Sequence, residues 1–213
     1  MAIGTYAELQ TAVANWLDRD DLTDRIPEFI ALAEAKMNRN LRISLMENVS
    51  TALSTVAGTR DYSLPAGFTG MKEFHLTTDP LVALSYITPE MMSRMWAGST
   101  TGRPKSFTLF SDSGTRKVKL GPAPDVVYTT SMLYLKKIDA LSVANPTETM
   151  LTDNPDIYLY GALLEAEPFL MNDVRVQLWA TMLETVAQDL QERDIFDRHS
   201  GSELRVMNTT GYP

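Results

Sequence analysis

The sequence predicts an α+β protein: a helical bundle formed by its N- and C-terminal helix pairs, an inserted β-rich lobe, and an extended C-terminal tail. Three observations predict it. Apolar residues recur at helical spacing near both ends, the period falls to two between about residues 48 and 140, and periodicity is lost after Phe196. The corresponding segments are 1–47 with 141–196 for the bundle, 48–140 for the insert with one short helix, and 197–213 for the tail.

The first helix is announced by Thr5 and Glu8. In a T-x-x-E capping box each side chain satisfies a backbone N–H that the helix start leaves orphaned. Leu9, Val13, Trp16 and Leu17 follow at helical spacing. The polar stretch "DRDDLTD" breaks that helix. The next begins at Ile26, with Pro27 tolerated because the first turn needs no donor there. Its apolar stripe is Ile26, Phe29, Ile30, Ala33, Met37 and Leu41, and its far end carries the polar, basic tip Asn38, Arg39, Asn40 and Arg42.

From Val49 the alternation is that of strands. "NVSTALSTV" sets Val49, Thr51, Leu53 and Thr55 on one face, with β-branched residues enriched. In "TRDYSLPAGF", Pro65 and Gly67 mark a turn. "MKEFHL" and "LVALSYI" read as two strands joined by "TTDP". "TPEMMSRMWAG" reads as a short helix capped by Thr88, with Pro89 at its first position and Gly98 ending it. "KSFTLF", "RKVKL" and "YTTSMLYLKK" are three further strands, about six in all. Helices then return. "NPDIYLYGALLEAEPFL" starts on an Asp153 or Asn154 cap and should kink or end at Pro168. "NDVRVQLWATMLETVAQDLQERDI" offers Val174, Leu178, Leu183, Val186 and Leu190 as an apolar face, with Trp179 and Met182 beside it. The two helix pairs are expected to pack together, since each alone exposes a wide apolar stripe.

Composition narrows function. The 213 residues are 44% hydrophobic and 22% charged, the balance of a globular chain, and no cysteine is present, which removes disulfides and thiolate metal sites. The opening "MAIGTYAELQ" lacks a signal-peptide pattern, and no apolar run approaches a membrane span. A net charge of −8 argues against a free-standing duplex binder. That charge is uneven: −3 over residues 1–50, +2 over 51–150 and −7 over 151–213.

Catalytic patterns are missing. His75 reads as a structural side chain on a strand and His199 as a possible contact residue in the tail. "DRDDLTD" lacks the glycine and the terminal glutamate of a calcium loop. Glu165 and Glu167, two apart on a helix, point away from each other. No phosphate loop, nucleophile elbow or H-E-x-x-H occurs. The expectation is no enzyme, no cofactor and no metal. The lobe's basic residues Arg103, Lys105, Arg116, Lys117, Lys119, Lys136 and Lys137 read as solvated or subunit-facing, without the aromatic interleaving of single-strand binders.

The opening "YAELQTAVANWLDRDDLTDRIPEFIALAEAKMNRNLR" resembles the start of bacteriophage head-to-tail adaptor proteins, the tail tubular protein A-like group of short-tailed phages. The similarity continues through "RDYSLPAGF", "GRPKSFTLF", "KLGPAPD" and "YLKK", and returns in "DNPDIYLYGALLEAEPFL" and the tryptophan-containing helix. The resemblance implies a virion neck protein made in the host cytoplasm and assembled with itself as a twelve-subunit ring. That ring would sit between the portal protein and the tail nozzle, sometimes holding fibre proteins, and DNA would pass through without specific binding or any membrane contact. It also implies that the C-terminal segment docks on the portal, which here points to Leu204, Arg205, Val206, Met207 and Tyr212. Arg39 and Arg42 are expected either to pair with carboxylates of a neighbouring subunit or the portal, or simply to be solvated at a helix C-terminus. Another neck or tail-completion role, or a small nucleic-acid-binding module, are the alternatives.

Overall fold

In the computed structural model, described over residues 3–19, 21–98, 100–171 and 173–199, the helices and strands segregate as an α+β fold. The described residues up to Leu45 and from Ile138 form one compact unit, and Met46–Lys137 forms the other.

The helical unit comprises α1 (Tyr6–Leu17), α2 (Ile26–Asn40), the short α4 (Thr149–Asp153), α5 (Pro155–Leu170) and α6 (Asp173–His199). The capping box at Thr5 forms: Glu8 N–H donates to Thr5 Oγ1, and the Glu8 carboxylate accepts from Thr5 N–H at 3.0 Å and from Gly4 N–H at 2.9 Å. Those donors hold the half-buried Glu8 carboxyl below the usual carboxylate range, the Gly4 N–H most strongly. Helix α5 is the centre. Ile157, Tyr158, Leu159, Ala162, Leu163, Leu164 and Ala166 bury it on all sides, the pattern of a helix with neighbours all round. Pro168 sits in the last turn of α5, and the helix closes two residues later at Leu170 with Met171 in the left-handed region.

Two expectations for α6 are corrected. The helix runs through His199, so residues 197–199 are helical and not the start of an extended tail. Asp194–Arg198 and Arg193–Asp197 pairs one turn apart support that last stretch. The expected apolar face also differs: Trp179 is buried and Leu183, Val186 and Leu190 are half-buried, but Leu178 is exposed. The side chains of Asp173, Val174 and His199 lie outside the described residues. Trp16, expected on a buried stripe, is 48% exposed.

The second unit has eight strands in place of the expected six. They are β1 (Glu47–Ser50), β2 (Asp61–Ser63), β3 (Phe68–Leu76), β4 (Val82–Ala83), β5 (Ser85–Tyr86), β6 (Ser106–Asp112), β7 (Thr115–Gly121) and β8 (Thr130–Lys136). They form two four-stranded sheets, ordered β1-β8-β3-β4 and β2-β7-β6-β5. The stretch "LVALSYI" is not one strand. Val82 pairs with Leu76 in the first sheet, Leu84 turns into the core, and Ser85 pairs in parallel with Ser106 in the second. The sheets share a core of Phe68, Phe74, Leu76, Phe107, Val118, Leu120, Met132 and Tyr134, with the Phe74 and Phe107 rings edge-to-face at 5.3 Å. "NVSTALSTV" is a continuous strand only as far as Ser50, with an isolated bridge from Ser54 to Thr129 beyond it. Its expected common face splits, since Val49 is exposed whereas Thr55 is buried and bonds to Val126 and Tyr128 backbone. The short helix α3 (Pro89–Met95) is capped by Thr88 as its sequence suggests, but Trp96 ends it, ahead of Gly98.

Candidate assembly surfaces

The polar tip of α2 is partly spent inside its own unit. Arg42 Nη1 donates to the Asn38 and Leu41 carbonyls at 3.2 and 2.6 Å, closing the helix end. Asn38 Oδ1 accepts from Ile138 N–H at 2.8 Å, and one turn earlier Glu34 Oε1 accepts from Leu141 N–H at 2.8 Å. Two side chains on one stripe of α2 therefore latch the segment by which the chain re-enters the helical unit. Arg39 stays exposed, and no ion pair to it is found among the described residues. Leu204, Arg205, Val206, Met207 and Tyr212 lie outside the described residues.

Glu34 is only 5% exposed. Burial, and then the charge of Glu148, push its carboxyl up from the ordinary range, against the opposing Leu141 N–H bond. Next to it Tyr158 is fully buried, and burial followed by the Glu34 and Glu148 charges drives its hydroxyl far upward. A carboxyl raised in the folded state prefers its proton there, so its contribution is greatest below the ordinary carboxylate range and falls as pH rises through the raised value. Glu34→Gln, whose amide oxygen can still accept from Leu141 N–H, therefore melts higher than the parent at pH 8 and level with it at pH 4. Thermal denaturation at both pH values checks this; an equal difference at both would refute it.

On the far side of α5, Trp179 Nε1 donates to Glu167 Oε1 at 2.9 Å, and Arg175 Nε lies 3.2 Å from the same oxygen. This partners one oxygen of a carboxylate with no exposed surface, while its Oε2 is buried without a hydrogen-bond partner among the described residues. Trp16 and Tyr160 complete an aromatic group around Trp179, with centroids 5.6 and 6.1 Å from it.

Between α2 and α6, over the floor of α5, runs a groove of about 320 Å³. Ala33, Met37, Ile157, Gly161, Leu164 and Leu183 make it almost wholly apolar, with Lys36, Asn40 and Glu184 at its edges. Its depth comes from small residues. A Cβ on Gly161 would lie 3.0 Å from Ala33 Cβ and 4.0 Å from Leu183 Cδ1. Lys36 pairs with Glu165 at 3.2 Å on the α2 side. Near the end of α6, Asp194 accepts from Ser44 N–H at 2.7 Å and from Ser44 Oγ. Burial raises this carboxyl, but the Ser44 and Arg198 donors outweigh it and leave it below the usual range.

In the second unit several of the basic residues are engaged locally. Lys117 pairs with Asp112 at 2.6 Å, Lys119 lies 3.6 Å from Asp61 and over the Phe110 ring, and Arg103 donates to Thr78 and to the Pro80 carbonyl. His75 Nδ1 is 3.3 Å from Glu73. Among the described residues no three His, Asp or Glu side chains are placed to hold a metal, and no helix is long and apolar enough to cross a membrane.

A protein whose conspicuous surfaces are an apolar groove and exposed apolar side chains, on a scaffold of this kind, is made to adjoin other proteins, and comparison with known families gives the class: this is a bacteriophage adaptor protein. The family described as SU10 adaptor protein matches residues 4–207, and the chain belongs to it. No curated protein matches the sequence.

Proposed function

We propose that this adaptor works as a structural ring of about twelve copies, a count the resemblance to the tail tubular protein A-like group implies. It seats between the portal and the tail nozzle or fibres and leaves a channel for DNA. The observation that carries this reading, beside family membership, is the apolar surface of the helical unit. A closed cyclic ring needs two different faces on each subunit, each complementary to the other. The groove over Gly161 and the exposed Trp16, Leu178 and Met182 supply unlike apolar surfaces on one unit. The −7 charge of residues 151–213 suits a channel wall that repels the DNA backbone. Exposed Arg39 is free to reach a carboxylate on a neighbour or the portal.

Native mass spectrometry of the adaptor mixed with portal-bearing capsids is expected to give a ring-sized species. A chain that stays monomeric there and binds oligonucleotide instead would overturn the reading in favour of a nucleic-acid module. The portal-docking role of Leu204, Arg205, Val206, Met207 and Tyr212 has its own expected outcome. Deleting everything after His199 leaves the thermal midpoint unchanged and abolishes attachment to portal-bearing capsids; capsids that still acquire tails would remove that role.

A further inference from the structure

Helix α6 carries two unlike apolar features on opposite flanks. Ala180, Glu184 and Ala187 face the groove. At about 100° per residue, Leu178 and Met182 lie roughly 170° round the helix from Ala180 and Ala187. Both are exposed, and Asp189 continues their stripe at helical spacing. One flank is a recess floored by small residues; the other is a ridge of a leucine and a methionine. With room for about ten waters at roughly 30 Å³ each, and few polar atoms to hold them, the recess gains by being filled with apolar side chains.

We propose that the groove between α2 and α6 receives the Leu178–Met182 ridge of α6 from a second copy of this chain. This rests on the ring reading, and names the faces that would close it. Matching levels along the helices support the occupant. The Phe29–Phe169 and Lys36–Glu165 contacts make α2 antiparallel to α5, and Trp179–Glu167 with Leu183–Gly161 does the same for α6. Helices α2 and α6 therefore run parallel, with Ala33 and Leu183 level over Gly161. A second copy alongside at the same height brings Met182 to Ala33 and towards Leu32, which is itself 52% exposed and stands one helical turn before Lys36 at the groove's edge. It also brings Asp189 to the height of Lys36 and Asn40, so an acidic group meets a lysine and an amide donor. Because ridge and recess lie on opposite flanks, each contact leaves both outer faces open for the next copy.

The absence of cysteine allows a clean test. Leu32→Cys and Met182→Cys alter exposed positions, so both variants should fold, with unchanged circular dichroism. Mixed at neck particles and oxidised, the two variants are expected to give a disulfide-linked dimer that neither gives alone, and the double variant a ladder of multimers. Rings that form without any cross-link, or single variants that link to themselves, would overturn this pairing while leaving the ring intact. If no ring forms with portal-bearing capsids, the ring reading falls and the pairing with it. Leu178→Glu with Met182→Glu is expected to abolish ring formation without shifting the thermal midpoint; rings that persist would also overturn the proposal.

Discussion

Trp179→Ala lowers the unfolding free energy of the helical unit by about 3–5 kcal/mol, the range for deleting a buried aromatic. The size follows from what the indole does. It fills the space between α5 and α6, stacks on Tyr160 at 6.1 Å, supports Trp16, and donates to a glutamate with no exposed surface. Removing it leaves a cavity and a buried carboxylate that has lost one of its donors. Trp16→Ala, at a half-exposed ring, costs much less, since fewer of its atoms leave water on folding. Denaturant unfolding of the two variants, followed by circular dichroism, gives the comparison; a loss below about 1 kcal/mol for Trp179→Ala would contradict the packing of α6 on α5.

Gly121→Ala is the corresponding lesion in the β unit, at about 1–3 kcal/mol for overpacking a well-filled site. A Cβ there would stand 2.4 Å from Trp96 Cδ1 and 2.6 Å from Met92 Sδ. Methionine can swing aside, but Trp96 is held: Arg60 Nη1 donates to its carbonyl at 2.8 Å while Arg60 Nε donates to the Leu120 carbonyl at 3.1 Å. The collision must therefore displace α3 from β7. Gly70→Ala is the control, because its nearest neighbour would be 4.0 Å away. If both substitutions shift the denaturation midpoint equally, the close approach at Gly121 is not what matters.

Features fixed by chain neighbours were legible in the sequence. The Thr5–Glu8 box, Pro27 in the first turn of α2 and the Thr88–Pro89 start of α3 all depend on residues within one helical turn. The α+β class followed from periodicity. Strand limits did not. Whether "LVALSYI" is one strand or two depends on which sheets flank it, and an alternating pattern reads the same when the chain changes sheets at Leu84. Helix α6 departs from its expected face for a similar reason: its apolar residues are scattered round the cylinder, so the buried set is chosen by where α5 lies. The latch on the re-entering segment does leave a signal in the sequence. Glu34 falls on the buried stripe between Ile30 and Met37, and a carboxylate there needs a partner. The groove left none in advance, because a recess is a property of three helices and of the small residues Ala33, Gly161 and Ala180 meeting in space.

The first and last strands of the β unit are hydrogen-bonded neighbours, Glu47 opposite Leu135 and Asn48 opposite Tyr134. Once that pairing forms, the whole of Met46–Lys137 acts on the rest of the chain as a tether whose ends are one strand spacing apart. Closing a loop costs entropy that grows with the free length between its ends, by roughly 0.6 kcal/mol per doubling. A folded sandwich shortens that length to a few residues, so α2 and α5, remote in sequence, search for each other almost as if consecutive. Native pairings that would otherwise be slow for their long separation become local ones. A folded insert therefore lowers the entropic cost of assembling the helical unit, and with it the groove.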